Sequence, residues 1–179
     1  MWVYIWTDKR WDETYTISKA SSSSSSYSTN NISIYKSWYK ITNILIEASW
    51  KSLNTSQSWV LGLDISNASS WHTECIQVYT SVGNSTSWKL EYQHSWSWTT
   101  ISSSIWTLSW SWTNNYSLNI TSEWVVTTIV NWTTNTFTLT WNGKLALDSI
   151  LSWSSIYSEI YSRYWEIWPA TVTVTYEQI

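Results

Sequence analysis

Residues 72 to 75, His-Thr-Glu-Cys, offer an imidazole, a carboxylate and a thiol within four positions, the donor types of a zinc site. On a strand, His72 and Glu74 face one way and Cys75 the other, so the three do not converge. His94 stands three residues from Glu91, and the two could exchange a proton as general acid and base. Strand parity separates them too. Serine is so abundant, at 35 residues, that no single hydroxyl stands out as a nucleophile, and there is no Gly-x-Ser-x-Gly elbow. Paired carboxylates for glycoside hydrolysis would have to come from distant segments of a chain with only 12 Asp and Glu. The expectation is a non-enzymatic protein with no resident metal and no cofactor.

Tryptophan is the more suggestive chemistry. The chain carries 19 Trp and 12 Tyr. Trp106, Trp110 and Trp112, with Trp96 and Trp98 upstream, share one parity, and neighbours two residues apart on a strand stand about 6.6 Å from each other. On an exposed face such a row stacks against the apolar faces of sugar rings, which makes Trp106, Trp110 and Trp112 candidate carbohydrate-binding residues. On an inner face the same row is core.

The elements that would carry these side chains are strands. Ile, Val, Thr, Trp, Tyr and Phe, the β-formers, make up nearly half of the 179 residues. Phe137, Leu139 and Trp141 alternate with Thr136, Thr138 and Thr140, as in half-buried antiparallel strands. Further strand signals fall near 2–7, 13–19, 32–36, 41–48, 58–65, 74–80, 87–93, 116–120, 123–130, 144–148 and 171–177. This density predicts an all-β, antiparallel two-sheet sandwich of about 10–14 strands. Residues 150–161 fit a short amphipathic helix capped by Asp148 or Ser149, a reading slightly ahead of the strand whose face Ile156, Ile160 and Tyr164 also fit. With 3 Gly and 1 Pro, turns must rely on Ser, Asn, Asp and Thr. Asn142-Gly143 is the clearest turn signal. A three-residue loop of Trp141-Asn142-Gly143 would pair Leu139 with Leu145 and Phe137 with Leu147, matching the apolar faces. Residues 1–179 read as a single domain, with a Ser-rich loop at 21–26.

The segment from Thr136 to Asp148, read as strand, Asn-Gly, Lys-Leu, strand, resembles the hairpin of concanavalin A-like and laminin-G-like jelly-roll sandwiches. The resemblance implies a jelly-roll fold whose last strand is Ala170 to Glu177, and it opens a carbohydrate-binding role. The acidic clusters of calcium-binding or glycan-cleaving members have no counterpart: no Glu-x-Asp-x-Glu run exists, and no second Asp follows Asp64 at ligand spacing. The composition, rich in hydroxyl and amide groups and poor in charge, resembles surface and virion proteins of hyperthermophilic, acidophilic archaea. A surface of this kind keeps its charge state as external pH falls through the carboxylate range.

A net charge of −3, with scattered basic residues, argues against nucleic-acid partners, and no window is apolar enough for a membrane span. Seven Asn-x-Ser/Thr sequons, at Asn31, Asn54, Asn67, Asn84, Asn115, Asn119 and Asn131, are N-glycosylation candidates if the chain is exported. In Trp2-Val3-Tyr4-Ile5-Trp6 both parities are apolar, so Trp2, Tyr4 and Trp6 are candidate assembly residues that would lie against a sheet edge or a neighbouring subunit. The leading expectation is therefore a structural subunit of an extracellular assembly, a virion shell, spike or surface filament, whose partners are copies of itself or other subunits. The alternative is a carbohydrate-binding jelly-roll module, extracellular in either case.

Overall fold

The computed structural model of the chain describes residues 10–17, 26–52, 59–68, 71–80, 89–103, 113–163, 165–167 and 170–179. Among them are thirteen strands and one helix: β1 Arg10–Ile17, β2 Ser26–Ser33, β3 Tyr39–Ser52, β4 Trp59–Ser66, β5 Cys75–Thr80, β6 Lys89–His94, β7 Ser97–Ser102, β8 Asn114–Thr121, β9 Val125–Val130, β10 Thr133–Thr138, α1 Trp141–Ser152, β11 Ser155–Arg163, β12 Trp165–Ile167 and β13 Ala170–Gln178. One sheet runs β1-β13-β3-β8-β9-β10, with β12 also paired to β3, and the other runs β2-β11-β4-β5-β6-β7. The pairings are antiparallel, so the expected all-β sandwich is the fold.

Strand β13 shows how sequence becomes sheet. Its residues alternate Val172, Val174 and Tyr176, fully buried, with Thr171, Thr173 and Thr175 on the other face. A β-branched residue on each face suits the pleat, and each face finds the neighbour it needs. The inner faces of the two sheets meet in one core: Ile44, Ile46, Leu118 and Val126 from the first, Ile65, Ile76, Leu90 and Ile156 from the second. Fully burying such side chains is worth about 1.5 to 3 kcal/mol each. Near one end, Trp11 of β1 stacks on Tyr176 at 5.1 Å and meets Tyr39 edge-on, a tryptophan used as packing material.

Two local expectations fail. Residues 141–143 are the first turn of α1, so the three-residue hairpin loop and the Leu139–Leu145 and Phe137–Leu147 pairs do not form. Phe137 pairs instead with Val126 across β9 and β10. The reason is a helical stripe: Gly143, Ala146, Leu147 and Ile150 are the buried residues of α1, at i, i+3, i+4 and i+7, and the helix packs against β5 and β6. The helix expected over 150–161 lies earlier. It starts after Thr140 rather than at Asp148 or Ser149 and ends at Ser152, and Ser155–Arg163 is a central strand with Ile156 in the core. The strand expected at 144–148 belongs to α1. In the Ser-rich stretch, Ser26 opens β2, while 21–25 lie outside the described residues.

A close approach explains why glycine suits position 143. A Cβ there would sit 3.2 Å from the Leu139 Cβ and 3.3 Å from the Tyr92 Cδ1. Gly143→Ala is expected to shift stability by less than about 1 kcal/mol, because better helix propensity offsets mild crowding. Gly143→Val, whose branches drive into Leu139 and Tyr92, is expected to lose about 2 kcal/mol in urea denaturation. A valine variant as stable as the parent would mean that this helix does not pack as described.

Candidate functional site

In the six-stranded sheet the residues alternate with the core set, so those of opposite parity line the outer face. Register carries three rows across it. The middle row runs Asp64, Gln77, Glu91 and Thr100 through β4, β5, β6 and β7. Above it stand Asn31, Tyr157, Ser66, Cys75, Gln93 and Trp98, and below it Lys89. Strands are spaced about 4.8 Å apart, so the middle row sets carboxylate, amide and hydroxyl groups at that interval. Asp64, Gln77 and Glu91 are half-buried rather than fully solvated.

Glu91 is the best-positioned member. Its carboxylate accepts from the Gln77 Nε2 at 3.1 Å and the Thr100 Oγ1 at 3.1 Å, with the Lys89 Nζ at 3.9 Å, and its side chain is 14% exposed. Three neighbours thus hold an acceptor in place, and its remaining lone pairs are available to donors arriving from outside. Gln77 both donates and accepts, and Thr100 does likewise. A row of this kind suits ligands whose surface is made of hydroxyls.

The upper row leads into a tied loop. Asn67 accepts the N–H of Thr73 and of Glu74, both at 3.2 Å, and donates to the Thr73 Oγ1 at 2.9 Å. This brings His72 edge-on to Trp98 at 5.9 Å. Glu74, buried, takes the Nδ1 of His94 at 2.8 Å and the N–H of Ser95 at 3.3 Å. His94 is therefore the partner of Glu74, not of Glu91, which lies on the opposite face as strand parity requires. Cys75 is buried on the outer face between Ser66 and Gln93. Among the described residues, no three of His, Cys, Asp and Glu gather in a metal-sized cluster.

Burial holds His72 below the ordinary imidazole range of about 6.5. The fold therefore favours the neutral ring. As pH falls below the unfolded value, the unfolded state takes up the proton first, so stability drops until the folded ring also protonates. His72→Phe, which keeps a ring against Trp98, is expected to remove this part of the acid-side loss in thermal melts between pH 7 and pH 5. A variant with the parent's full pH slope would show that His72 contributes none of it.

Trp106, Trp110 and Trp112, and likewise Trp2, Tyr4 and Trp6, lie outside the described residues. Trp98 lies in β7 on the outer face and is exposed; Trp96 is exposed in the preceding turn. Of the sequons, Asn31, Asn115 and Asn131 are exposed, Asn119 is half-buried, and Asn67 is committed to its loop. Asn54 and Asn84 fall outside the described residues. The Asp64-Gln77-Glu91 row was not expected from sequence, because its members come from three segments that only strand pairing aligns.

No protein-family model and no curated protein matches the chain. Solved structures do. The lectin from Bauhinia forficata in complex with GalNAc superposes with a TM-score of 0.56 at 7% identity, over 93% of this chain and 88% of that one. Lectin UEA-II complexed with galactose gives 0.52 at 9% identity, over 97% and 100%. Caenorhabditis elegans galectin LEC-6 gives 0.51 at 7% identity, over 89% and 94%. At these identities the likeness establishes the fold, a concanavalin-like jelly roll of two antiparallel sheets, as the sequence resemblance implied. Among the described residues no helix is long and apolar enough to cross a membrane.

Proposed function

We propose that this chain is a non-enzymatic carbohydrate-binding module that works outside the cell and reads sugar hydroxyls on the outer face of its six-stranded sheet. The observation that carries this reading is Glu91, a carboxylate held by Gln77 and Thr100 in a polar row that runs across β4, β5, β6 and β7. A carboxylate binds hydroxyl donors more strongly than a neutral acceptor does, the Gln77 amide beside it both donates and accepts, and Trp98 at the end of the upper row supplies a flat apolar surface beside them. Fold likeness to lectins solved with GalNAc and galactose supports the same class of ligand. The assembly reading, drawn from the hydroxyl-rich, low-charge composition and from Trp2, Tyr4 and Trp6, turns on a segment that lies outside the described residues. Retention of the purified chain on immobilised galactose, GalNAc and a broader glycan array tests the proposal. Binding that free sugar displaces is the expected result; no retention on any glycan overturns it.

A further inference from the structure

Among the described residues, six non-glycine residues have positive φ, and four of them are tryptophan: Trp38 at 70°, Trp71 at 57°, Trp96 at 71° and Trp124 at 65°. For a bulky side chain this region is an outlier, whereas glycine enters it freely. Meanwhile Gly143 sits inside a helix. The most restricted residues hold the left-handed positions, and a residue free to take them does not.

The turns make the mismatch specific. His94 pairs with Ser97, so Ser95-Trp96 is a two-residue hairpin loop, and both residues have positive φ, 48° and 71°. That is the loop in which Asn-Gly, Asp-Gly or Gly-Gly is favoured. Between β2 and β3, the Tyr39 N–H bonds the Lys36 carbonyl at 3.2 Å, which puts Trp38 at the third position of a turn that demands glycine when φ is positive there. Between β8 and β9, the Trp124 N–H closes a turn on the Thr121 carbonyl at 3.0 Å, and Trp124 takes the left-handed place that follows, where glycine forms the common bulge. The indoles of Trp38, Trp71 and Trp96 are 78%, 84% and 59% exposed, so they recover little by burial. Trp124 alone of the four has a use for its ring, with its Nε1 on Asp148 at 3.0 Å and Lys144 over its face at 4.4 Å.

Composition agrees independently. An average chain of this length has about 13 glycines; this one has 3, beside 19 Trp, and ten of those Trp follow a serine, as in Ser-Gly turns. We infer that positions 38, 71, 96 and 124 are glycine sites, and that the translation machinery native to this gene inserts glycine at codons that another genetic code reads as tryptophan. UGA is a codon of that kind. The working protein then carries a Ser-Gly hairpin turn at 95–96, between two strands of the polar sheet face, and the indoles at 71 and 96 take no part in binding.

The test has two arms. Peptide mass mapping of the protein from its native source, across residues 36–39, 71, 95–97 and 121–125, is expected to show glycine at all four positions; tryptophan there overturns the inference. In a recombinant chain, W38G/W71G/W96G is expected to raise the thermal midpoint by about 5 °C or more, from relief of left-handed strain at three sites net of glycine's own entropy, and to leave retention on galactose and GalNAc matrices unchanged. An unchanged or lower midpoint overturns it, as does loss of a retention that the tryptophan chain shows, because either result gives the indoles a purpose. If neither chain binds sugar but the midpoint rises, the glycine inference stands and the carbohydrate reading falls.

Discussion

Truncating Leu147 to alanine is expected to cost about 3 to 4 kcal/mol of stability, the largest loss among the substitutions considered. Leu147 is fully buried on the stripe that α1 turns toward β5 and β6, with Ala146 and Ile150 beside it. Removing its branch opens a cavity that neighbours anchored in β5 and β6 cannot close, so the loss exceeds simple transfer. For a chain of this size the midpoint should fall by about 10 °C. The contrast with Leu145 makes the result diagnostic. Leu145 is exposed on the same helix, and Leu145→Ala is expected to cost well under 1 kcal/mol. On a hairpin the two leucines would share one face and cost alike, so equal losses in chemical denaturation would contradict the helix.

Replacing Glu91 with alanine is expected to weaken glycan binding by about tenfold to a hundredfold, since hydrogen bonds to a charged group contribute about 1.5 to 3 kcal/mol. Its stability cost should be near 1 kcal/mol, the price of leaving the Gln77 amide without its acceptor. Glu91→Gln keeps the shape but not the charge and should fall between parent and alanine in affinity. Calorimetric titration with the retained glycan measures both. Parent-like affinity in Glu91→Ala would remove the middle row from the site. Loss of binding together with a stability drop of several kcal/mol would mark Glu91 as structural.

Much of the architecture was legible in the chain because a strand writes its two faces into adjacent residues. Val172, Val174 and Tyr176 against Thr171, Thr173 and Thr175 need no partner to be read as a half-buried strand, and strands of that kind at short intervals imply a sandwich. The Asn142-Gly143 motif misled in detail. Its residues form a helix, so the family resemblance holds for the fold while the hairpin that suggested it does not exist. A turn signal is local, whereas the stripe of Gly143, Ala146, Leu147 and Ile150 gains its stabilisation only against β5 and β6, and tertiary burial outweighed the local preference. The same holds for Ser155–Arg163, whose apolar spacing fits either element until β2 and β4 pair with it on both sides.

The candidate site divides along the same line. By itself the sequence determined what kinds of group are present: few charges, many hydroxyls and amides, and strand parity that keeps His94 apart from Glu91. Only the tertiary structure decided which of those groups stand together. Asp64, Gln77 and Glu91 are separated by 13 and 14 residues and meet because Ile65, Ile76 and Tyr92, one residue along each strand, must be buried in register. The core sets that register through long-range pairing, and the outer face inherits it; no pattern within a single segment encodes an alignment that depends on how three segments bury their opposite sides.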